Sequence, residues 1–432
     1  MTRTPWFPAG QAARDCHVVV IGAGIAGASV ARSLAERGFA VQVLERHALP
    51  AQEASGNPAG IVLPVLSRTG NALSHLTRLG MAYAQQRMSA LMQDDMRVDW
   101  QPSGVLRLAR NPRHAAQQEK IAAQWDFPAD FARWVSAEEG TALVGVPVEQ
   151  PGWWFAGGGS VCPPALVRAL LQHEGIALHT GIEVGQLRRE ADEWSVLDTH
   201  GTVLARSENV ILANAYDALH LLPDEYAQAL PLAAIRGQIS LASVSSDAQA
   251  WTRLHAVACR EGYVIPERDG QVCFGASFAH QANGREPSEA EHQGNIERLQ
   301  AIFPQAKSLH PAQLAGRVSY RCATPDRVPM LGPLHDALSF RERFAHLHLG
   351  GTAQRFSMAD VLPGLWLNLG HGARGLVWAG VLGEALACMI SGETQPLPQD
   401  LIHALHPARF DYRLMRTAPA HRKAWVVAEE AE

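Results

Sequence analysis

The chain has 432 residues, of which 47% are hydrophobic and 18% charged, and its formal net charge is −5. This composition is typical of a globular protein and excludes disordered, collagen-like and coiled-coil chains, while the length predicts two or three domains. No apolar stretch reaches the roughly 18 residues of a membrane span. Residues 1–15 lack the apolar segment of a signal peptide, and the six cysteines form no C-x-x-C pair. We therefore expect a cytoplasmic protein without a metal site and without an overall basic charge that attracts nucleic acid.

The predicted elements begin with a βαβ unit. His17–Ile21 is β-branched and predicts a buried parallel strand, residues 25–37 have apolar side chains at helical spacing, and residues 40–44 predict a second strand. Further helices are predicted at residues 71–96, 163–174 and 376–390. Further strands are predicted at residues 105–108, 176–179, 194–198, 210–213, 235–241, 262–265, 271–276 and 364–369. Turn residues without crossover helices separate the strands within residues 235–276, which predicts an antiparallel sheet.

A dinucleotide-binding motif joins the first strand to the first helix. Gly22, Gly24 and Gly27 form G-x-G-x-x-G, which allows a tight turn, a close approach of the backbone to a diphosphate, and close packing of helix on strand. The helix N-terminus adds free N–H groups and a positive dipole. Glu45 ends the second strand, where an acid accepts hydrogen bonds from ribose hydroxyls. The motif alone leaves NAD and FAD open, while the acid disfavours NADP.

Four further stretches resemble the D-amino-acid oxidase/glycine oxidase superfamily of flavoenzymes, in matching order over nearly the whole chain. They are ASGN at 54–57, GYVIP at 262–266 with GAS at 275–277, RCATPD at 321–326 with PMLG at 329–332, and GHGARGL at 370–376. The resemblance implies FAD and a Rossmann-like α/β domain made of discontinuous segments, with an inserted α+β substrate domain on an antiparallel sheet. The implied division is a linker at 1–15, an FAD-binding domain at 16–90, 151–230 and 321–405, a substrate domain at 91–150 and 231–320, and a basic tail at 406–432.

The implied cofactor site combines the first motif with the family's loops. Its residues are Gly22, Gly24, Ile25, Ala26, Gly27, Glu45, Arg46, Ala54, Ser55, Gly56, Asn57, Val184, Ala213, Gly370, Gly372, Ala373, Arg374, Gly375 and Leu376. Arg321 can bind a carboxylate bidentately, and its match to the glycine oxidase pattern predicts a catalytic role as a substrate clamp. Tyr263 is predicted to add a hydroxyl hydrogen bond.

Five longer stretches point to one branch within this superfamily. They are ASGNPAGIVLPVLS, GWWFAGGGSVCPPALV, IRGQIS, RCATPDRVPMLGP and LGHGARGL. They resemble the FAD-dependent oxidoreductase half of the bifunctional tRNA-modifying family MnmC, and TPWF at 4–7 resembles the linker before that half. The resemblance implies removal of the carboxymethyl group, as glyoxylate, from carboxymethylaminomethyl-(2-thio)uridine at the tRNA wobble position. It also implies molecular oxygen as electron acceptor, and a methyltransferase, fused or separate, that completes the modification.

Several residues have two interpretations. Cys322 falls near the position where some sarcosine oxidases attach flavin covalently, but a buried core cysteine explains it as well. His371 either contacts the flavin or is a constrained turn residue, while His346 and His348 are interpreted as structural or surface residues. Basic residues with interleaved aromatics either contact tRNA or form a tail that covers the domain. These are Arg409, Arg413, Arg416, Arg422 and Lys423, with Phe410, Tyr412 and Trp425; a weaker candidate group is Arg107, Arg110 and Arg113.

Two other functions fit the same residues. An oxidase of free glycine, sarcosine or a D-amino acid needs the same flavin and carboxylate contacts, so those residues do not distinguish it. A flavin-containing tRNA-binding protein without turnover is the other alternative.

Overall fold

The computed structural model describes residues 16–125, 127–244, 250–279, 284–350 and 359–423, and positions 10, 425 and 427. The predicted linker at 1–15, including TPWF, lies outside the described residues except for position 10. Two compact units are present. The first comprises the described residues up to Ser55, Val167–Ala234, and the described residues from Arg321 onward. The second comprises Gly56–Leu166 and Ile235–Tyr320.

The described residues form strands and α-helices whose bounds are as follows. The strands are β1 His17–Ile21, β2 Ala40–Glu45, β3 Gly60–Val62, β4 Trp100–Gln101, β5 Val105–Leu108, β6 Arg133–Val135, β7 Gly152–Phe155, β8 Gly159–Val161, β9 Ile176–Thr180, β10 Val184–Glu190, β11 Glu193–Asp198, β12 Val203–Ser207, β13 Asn209–Leu212, β14 Ala233–Ser243, β15 Val257–Cys259, β16 Tyr263–Val264, β17 Gln271–Gly275, β18 Ala315–Ala323, β19 Met330–His335 and β20 Val361–Leu369. The helices are α1 Ile25–Ala35, α2 Ala72–Gln93, α3 Pro112–Gln124, α4 Ala137–Val144, α5 Pro163–Leu171, α6 Asp224–Ala227, α7 Glu289–Ile302, α8 Ala337–Arg343, α9 Gly375–Ser391, α10 Gln399–Leu405 and α11 Arg409–Arg416. None of the helices in these ranges combines the length and hydrophobicity that crossing a membrane requires.

The first unit is built on a six-stranded sheet with the order β19-β20-β13-β1-β2-β9. Neighbouring strands from β20 to β9 are parallel, and β19 joins β20 antiparallel. Val18, Val19 and Val20 in the central strand are completely buried, as the β-branched run predicts. A separate antiparallel sheet, β10-β11-β12, adds Trp194 to the hydrophobic core of this unit. The predicted Rossmann-like α/β architecture is therefore confirmed.

The second unit contains an eight-stranded sheet with the order β18-β14-β17-β16-β15-β5-β7-β6. The β14, β15, β16 and β17 strands pair antiparallel, as predicted for residues 235–276. One parallel pair, β15 with β5, was not predicted and connects these strands to β7 and β6. Separate hydrophobic clusters pack in this unit, one around α7 and the other around the aromatic side chains of Trp153 and Phe155.

The two compact units divide the chain differently from the predicted domains. Residues 56–90 and 151–166 were assigned to the FAD-binding domain, but they cluster with the second unit. The physical reason is a small sheet in which β8 pairs with both β3 and β4. These backbone hydrogen bonds tie the two segments to residues 100–101, and short strands of this kind give little sequence signal.

The predicted basic tail is folded where the structure describes it, so this expectation is corrected for residues 406–416. Arg409 in α11 is only 2% exposed, and its guanidinium donates to both carboxylate oxygens of Asp326 at 2.9 and 3.0 Å. Burial alone raises the pKa of Asp326, but the hydrogen bonds and charges of Arg409 and Arg413 together outweigh burial and hold that pKa below its ordinary value. Positions 424, 426 and 428–432 lie outside the described residues.

We predict that Arg409→Leu lowers the free energy of unfolding by roughly 3–5 kcal/mol, because Asp326 loses its buried partner. Arg413→Leu is the matched control, since Arg413 pairs with the same carboxylate but is 43% exposed, and it should cost less than about 1 kcal/mol. Denaturant unfolding at neutral pH measures both. Because the pKa of Asp326 is lowered by folding, this stabilisation should fade as the pH falls below 3.8. Equal losses in the two variants would contradict the assignment.

Candidate active site

A glycine turn joins β1 to α1 with almost no free space. Gly22 has a φ of +101°, and a Cβ atom there would lie 2.9 Å from the carbonyl oxygen of Ala213. A Cβ on Gly27 would lie 1.9 Å from the carbonyl oxygen of Gly22. The N–H of Gly22 donates to the carbonyl of Leu44 at 2.8 Å. Only glycine fits the two positions, and α1 consequently starts directly against the edge of the sheet.

The turn lies at a point in the sheet from which the chain continues to a neighbouring strand on one side and later returns to the strand on the other side. From β1 the chain passes to β2 on one side, and β13 later pairs with β1 on the other side. Open α/β sheets bind ligands outside the carboxyl ends of strands at such a switch point. Gly22 follows β1 and Ala213 follows β13, and these two strands are adjacent. The structure therefore brings these two predicted cofactor residues together in the first unit.

The N-terminus of α1 is suited to an anion. Gly24 is the N-cap residue and provides no side-chain cap, while the Ser55 hydroxyl accepts the N–H of Ile25 at 3.0 Å. The first N–H groups of a helix have no partner within the helix, and its dipole is positive at this end. Ala26 and Gly27 belong to the same first turn. The backbone here can therefore bind a diphosphate without a lysine or arginine.

Glu45 supports the turn through hydrogen bonds and can still accept further ones. It is 7% exposed, and its two carboxylate oxygens accept the N–H groups of Ala23 at 2.8 Å and His47 at 2.9 Å. Each carboxylate oxygen has a further lone pair that can accept a ribose hydroxyl. Arg46, predicted beside it, instead pairs with Glu53 and Asp217, both at 2.8 Å. Arg46 thus holds the loop after β2 in place.

The remaining predicted cofactor residues are divided between the two units. Ala54, Ser55 and Gly56 form a short 3-10 turn, but Gly56 and Asn57 belong to the second unit. The side-chain oxygen of Asn57 accepts a hydrogen bond from Arg317 at 3.0 Å. Val184 begins β10 and packs at the margin of the first unit's core. The cofactor roles of these residues stay predictions.

A second glycine turn follows β20 and leads into α9. Gly370 has a φ of +73°, and a Cβ there would lie 2.7 Å from the Thr324 methyl group. Gly372 has a φ of +56°, and its N–H donates to the carbonyl of Cys322 at 2.7 Å. The remaining predicted residues of the turn are the exposed Ala373, the N-cap Arg374, and the first two residues of α9, Gly375 and Leu376.

The two glycine turns of the first unit are neighbours. A Cβ on Gly375 would lie 3.2 Å from a methyl group of Ile25. The side-chain amide of Asn368 donates to the carbonyl of Ala26 at 3.1 Å, which links the end of β20 to the first turn of α1. Sequence reasoning missed Asn368. Its only signal is a polar residue inside an otherwise apolar strand.

Buried polar atoms at this edge suit a ligand rich in hydrogen-bonding groups. Asn214 Oδ1 and His371 Nδ1 are buried and have no hydrogen-bond partner among the described residues. Such atoms are costly unless something pairs with them. FAD carries hydroxyl, amide and phosphate groups, and the glycine cradle leaves room for its backbone contacts. The residues present therefore fit the cofactor that the sequence implies.

Cys322 is a core residue in the first unit. It is 6% exposed and packs in the hydrophobic cluster with Met330 and Leu367. Burial raises the pKa of its thiol to about 12. A thiol that stays protonated is a poor nucleophile, so the structure favours the core interpretation over covalent attachment of flavin.

The two predicted substrate residues lie on strands. Tyr263 in β16 is half-buried, packs in the aromatic cluster of the second unit and hydrogen-bonds the Cys273 thiol. Burial raises the pKa of that thiol to about 12, with the Tyr263 bond opposing the shift. Arg321 lies near the end of β18, and alternate residues of a strand share a face, so it is on the same face of β18 as Ser319 and Arg317. Their catalytic roles stay predictions.

Among the other predicted basic and histidine residues, some have partners within the protein and some are exposed. His348 Nδ1 lies 3.1 Å from the carbonyl of Ala345 and His346 is its neighbour, with rings 6.5 Å apart. The described residues contain no group of three or more His, Cys, Asp or Glu side chains that could hold a metal.

The predicted basic and aromatic residues of the C-terminal segment are partly packed against the protein. Phe410 is buried, and Trp425 packs edge-on against it. Arg416 lies over the ring of Tyr412, and Arg422 donates a hydrogen bond to the Thr417 carbonyl. The exposed residues are Arg413, Arg416 and Lys423. Of the weaker group, Arg113 is exposed, and Arg107 and Arg110 are half-buried.

Comparison with known proteins now identifies the family. The family of FAD dependent oxidoreductases matches residues 17–389, a range that contains both glycine turns. The chain belongs to this family. FAD is the family's cofactor, in agreement with the sequence prediction and with the fit of the first unit.

Curated relatives narrow the similarity further. The chain is 41% identical over 422 residues to the tRNA 5-methylaminomethyl-2-thiouridine biosynthesis bifunctional protein MnmC of Pseudomonas putida, covering 95% of this chain and 62% of the relative. It is 40% identical over 417 residues to the protein of the same name from Stutzerimonas stutzeri, covering 95% and 61%. The chain therefore spans about three fifths of the length of these curated relatives.

Solved structures agree on the fold. Glycine oxidase from Bacillus cereus matches with a TM-score of 0.71 at 20% identity, covering 90% of this chain and 97% of that chain. Glycine oxidase from Geobacillus kaustophilus matches with a TM-score of 0.72 at 18% identity, covering 91% and 98%. The predicted glycine oxidase-like fold of this FAD dependent oxidoreductase is therefore confirmed.

We predict that Gly27→Ala abolishes FAD retention, because the new methyl group would overlap the carbonyl oxygen of Gly22 and push α1 away from the turn. Gly38→Ala is the control: its φ is +83°, but a Cβ there meets nothing within 4 Å. The control should cost only about 1 kcal/mol of backbone strain. The ratio of flavin to protein absorbance after purification measures retention. Normal FAD content in the Gly27 variant would show that close contact is not needed.

Proposed function

We propose that this chain is the oxidoreductase that removes the carboxymethyl group from carboxymethylaminomethyl-(2-thio)uridine at the tRNA wobble position. The products are aminomethyl-(2-thio)uridine and glyoxylate. The observation that carries the proposal is the 41% identity, over 95% of this chain, to a protein named for tRNA 5-methylaminomethyl-2-thiouridine biosynthesis. A methyltransferase, fused or separate, then acts on the aminomethyl product. Because the reaction acts on tRNA, we place the protein in the cytoplasm.

FAD, when bound, supplies the acceptor for the hydride of a C–H bond next to an amine nitrogen. The first glycine turn and the N-terminus of α1 would hold its diphosphate, and Glu45 would accept a hydrogen bond from a ribose hydroxyl. The second turn, residues 370–376, would hold the flavin end of the cofactor. These residues bind and orient FAD, and none of them needs to act as a base at carbon.

The substrate side chain is an N-substituted glycine, so its carboxylate needs a clamp. Arg321 binds this carboxylate bidentately through its planar guanidinium. Tyr263 adds a hydrogen bond from its hydroxyl to the same carboxylate. The Cα–H bond breaks with loss of two electrons as hydride, the nitrogen loses its N–H proton, and the amine thereby becomes an imine. Water hydrolyses the imine to glyoxylate and the aminomethyl nucleoside. Molecular oxygen takes the two electrons and, with two protons, becomes hydrogen peroxide.

An oxidase of free glycine or sarcosine is the second candidate. It is favoured by the match of the fold to two glycine oxidases with TM-scores of 0.71 and 0.72. The same clamp would hold a free amino acid, and only the size and contacts of the rest of the substrate differ. A flavin-containing tRNA-binding protein without turnover would bind tRNA but leave the flavin oxidised.

We predict that tRNA carrying carboxymethylaminomethyluridine bleaches the flavin of the holoprotein under anaerobic conditions, whereas glycine and sarcosine bleach it far more slowly. Stopped-flow absorbance in the flavin band measures the three rates. The same tRNA lacking the modification is the control and should leave the flavin oxidised. Bleaching by free amino acids alone would favour the small-molecule oxidase, and no bleaching by any of them would favour the binding protein.

We predict that Arg321→Ala slows flavin reduction by the modified tRNA on the order of 10- to 100-fold, because a charged hydrogen-bonding partner of the carboxylate is lost. Arg321→Lys keeps the charge without the planar fork and should fall between wild type and Ala. Arg188→Ala removes an exposed arginine paired with Glu190 and should behave as wild type. If Arg321→Ala reduces flavin at the wild-type rate with normal FAD content, Arg321 is not the clamp.

A further inference from the structure

His371 lies in the second glycine turn, and its backbone is fixed from several directions. The N–H of Gly372 donates to the Cys322 carbonyl at 2.7 Å, and the N–H of Arg374 donates to the carbonyl of His371 itself at 3.2 Å. The residue before it, Gly370, packs so closely on Thr324 that a Cβ atom would not fit between them. The imidazole is therefore presented by a constrained turn, and its position is set by the fold of the first unit.

The hydrogen-bond network fixes which ring nitrogen carries the proton. The amide nitrogen of Asn368 donates to the Ala26 carbonyl at 3.1 Å, so the amide oxygen of Asn368 faces the other way. That oxygen lies 2.8 Å from His371 Nε2. An amide oxygen only accepts hydrogen bonds, so Nε2 must be the donor. Burial lowers the pKa of His371 to about 4, so the ring is neutral at physiological pH and Nδ1 carries a lone pair.

This lone pair is buried and unsatisfied within the described part of the chain. Nδ1 has no hydrogen-bond partner among the described residues. Nδ1 lies beside the start of α9: a Cβ atom added to Gly375 would be 3.9 Å from it. The imidazole is also linked through Asn368 to Ala26, in the first turn of the helix that begins at the dinucleotide motif. A buried acceptor at this place calls for a donor from outside the described residues.

We propose that His371 positions FAD by accepting, at Nδ1, a hydrogen bond from a donor group of the bound cofactor. FAD offers three kinds of donor: the N3–H of the flavin ring, the hydroxyl groups of its sugar chains and the amino group of its adenine. The proposal concerns the family's cofactor and does not depend on tRNA being the substrate. Asn368 acts behind His371 by holding the tautomer that exposes the lone pair.

The test uses two substitutions that each keep one half of the imidazole. His371→Gln keeps a donor at the distance of Nε2 but has no acceptor near Nδ1, whereas His371→Asn keeps an amide oxygen near Nδ1 but cannot reach Asn368. We expect FAD binding to the FAD-stripped full chain to weaken roughly 10-fold in the Gln variant and less than about 3-fold in the Asn variant. Flavin fluorescence titration measures both affinities. The reverse order, with Gln near wild type, would mean that His371 only anchors Asn368 and would overturn the proposal.

Thermal unfolding separates loss of binding from loss of folding. Without FAD, His371→Gln should unfold at the wild-type temperature or above, because the unpaired acceptor is gone; with FAD it should gain less stability than wild type. A lower unfolding temperature of the FAD-stripped Gln variant would favour a structural role. On the wild-type chain, nitrogen NMR of histidine should show an Nε2–H ring whose Nδ1 resonance shifts when FAD binds. An Nδ1–H ring would contradict the proposal without any variant.

FAD analogues identify the donor. N3-methyl-FAD lacks the ring N–H, analogues of FAD lacking single sugar hydroxyls lack one hydroxyl each, and the analogue with unsubstituted purine in place of adenine lacks the amino group. With the analogue that lacks the true donor, wild type and His371→Gln should bind equally well, while their roughly 10-fold difference should persist with the others. A difference that persists with every analogue would show that the donor is not FAD, and the proposal would fail.

Discussion

The close approach of α1 to the end of β1 is the contact on which the first unit depends. It exists because Gly27 has no Cβ within reach of the Gly22 carbonyl, where a methyl group would come within 1.9 Å. The contact brings the positive end of the helix to the switch point of the sheet, next to Ala213. Since the backbone supplies the binding groups, the site needs no cation for the diphosphate, and an overall net charge of −5 is compatible with binding an anionic cofactor.

The second half of the site is placed by packing against that same helix. A Cβ on Gly383 in α9 would lie 2.7 Å from the backbone of Ser29 in α1, so the two helices touch through glycine. The turn before α9 consequently lies beside the first glycine turn, and Asn368 ties it to Ala26. Segments about 340 residues apart in the chain thus build one cofactor site.

The sequence was most informative where one pattern determines the local structure. The strand of β1 was predicted to the residue, and the start of α1 and the end of β2 to within one residue, because β-branched runs and glycine spacing are local signals. Polar helices such as α3 and two-residue strands such as β4 lack that signal and were missed. Burial of Arg409 could not be foreseen, since only the fold brings Asp326 to it. The lone pair of His371 was equally hidden, because it depends on the orientation of the Asn368 amide, which the carbonyl of Ala26, far away in the sequence, determines.

Nucleoside analysis tests the central claim most directly. The holoprotein would be incubated in air with tRNA containing carboxymethylaminomethyl-2-thiouridine, and the digested nucleosides analysed by mass spectrometry alongside an assay for glyoxylate. The account predicts that this nucleoside is replaced by aminomethyl-2-thiouridine with one glyoxylate formed for each conversion. An unchanged nucleoside, in protein with full FAD content that oxidises free glycine or sarcosine, would contradict it.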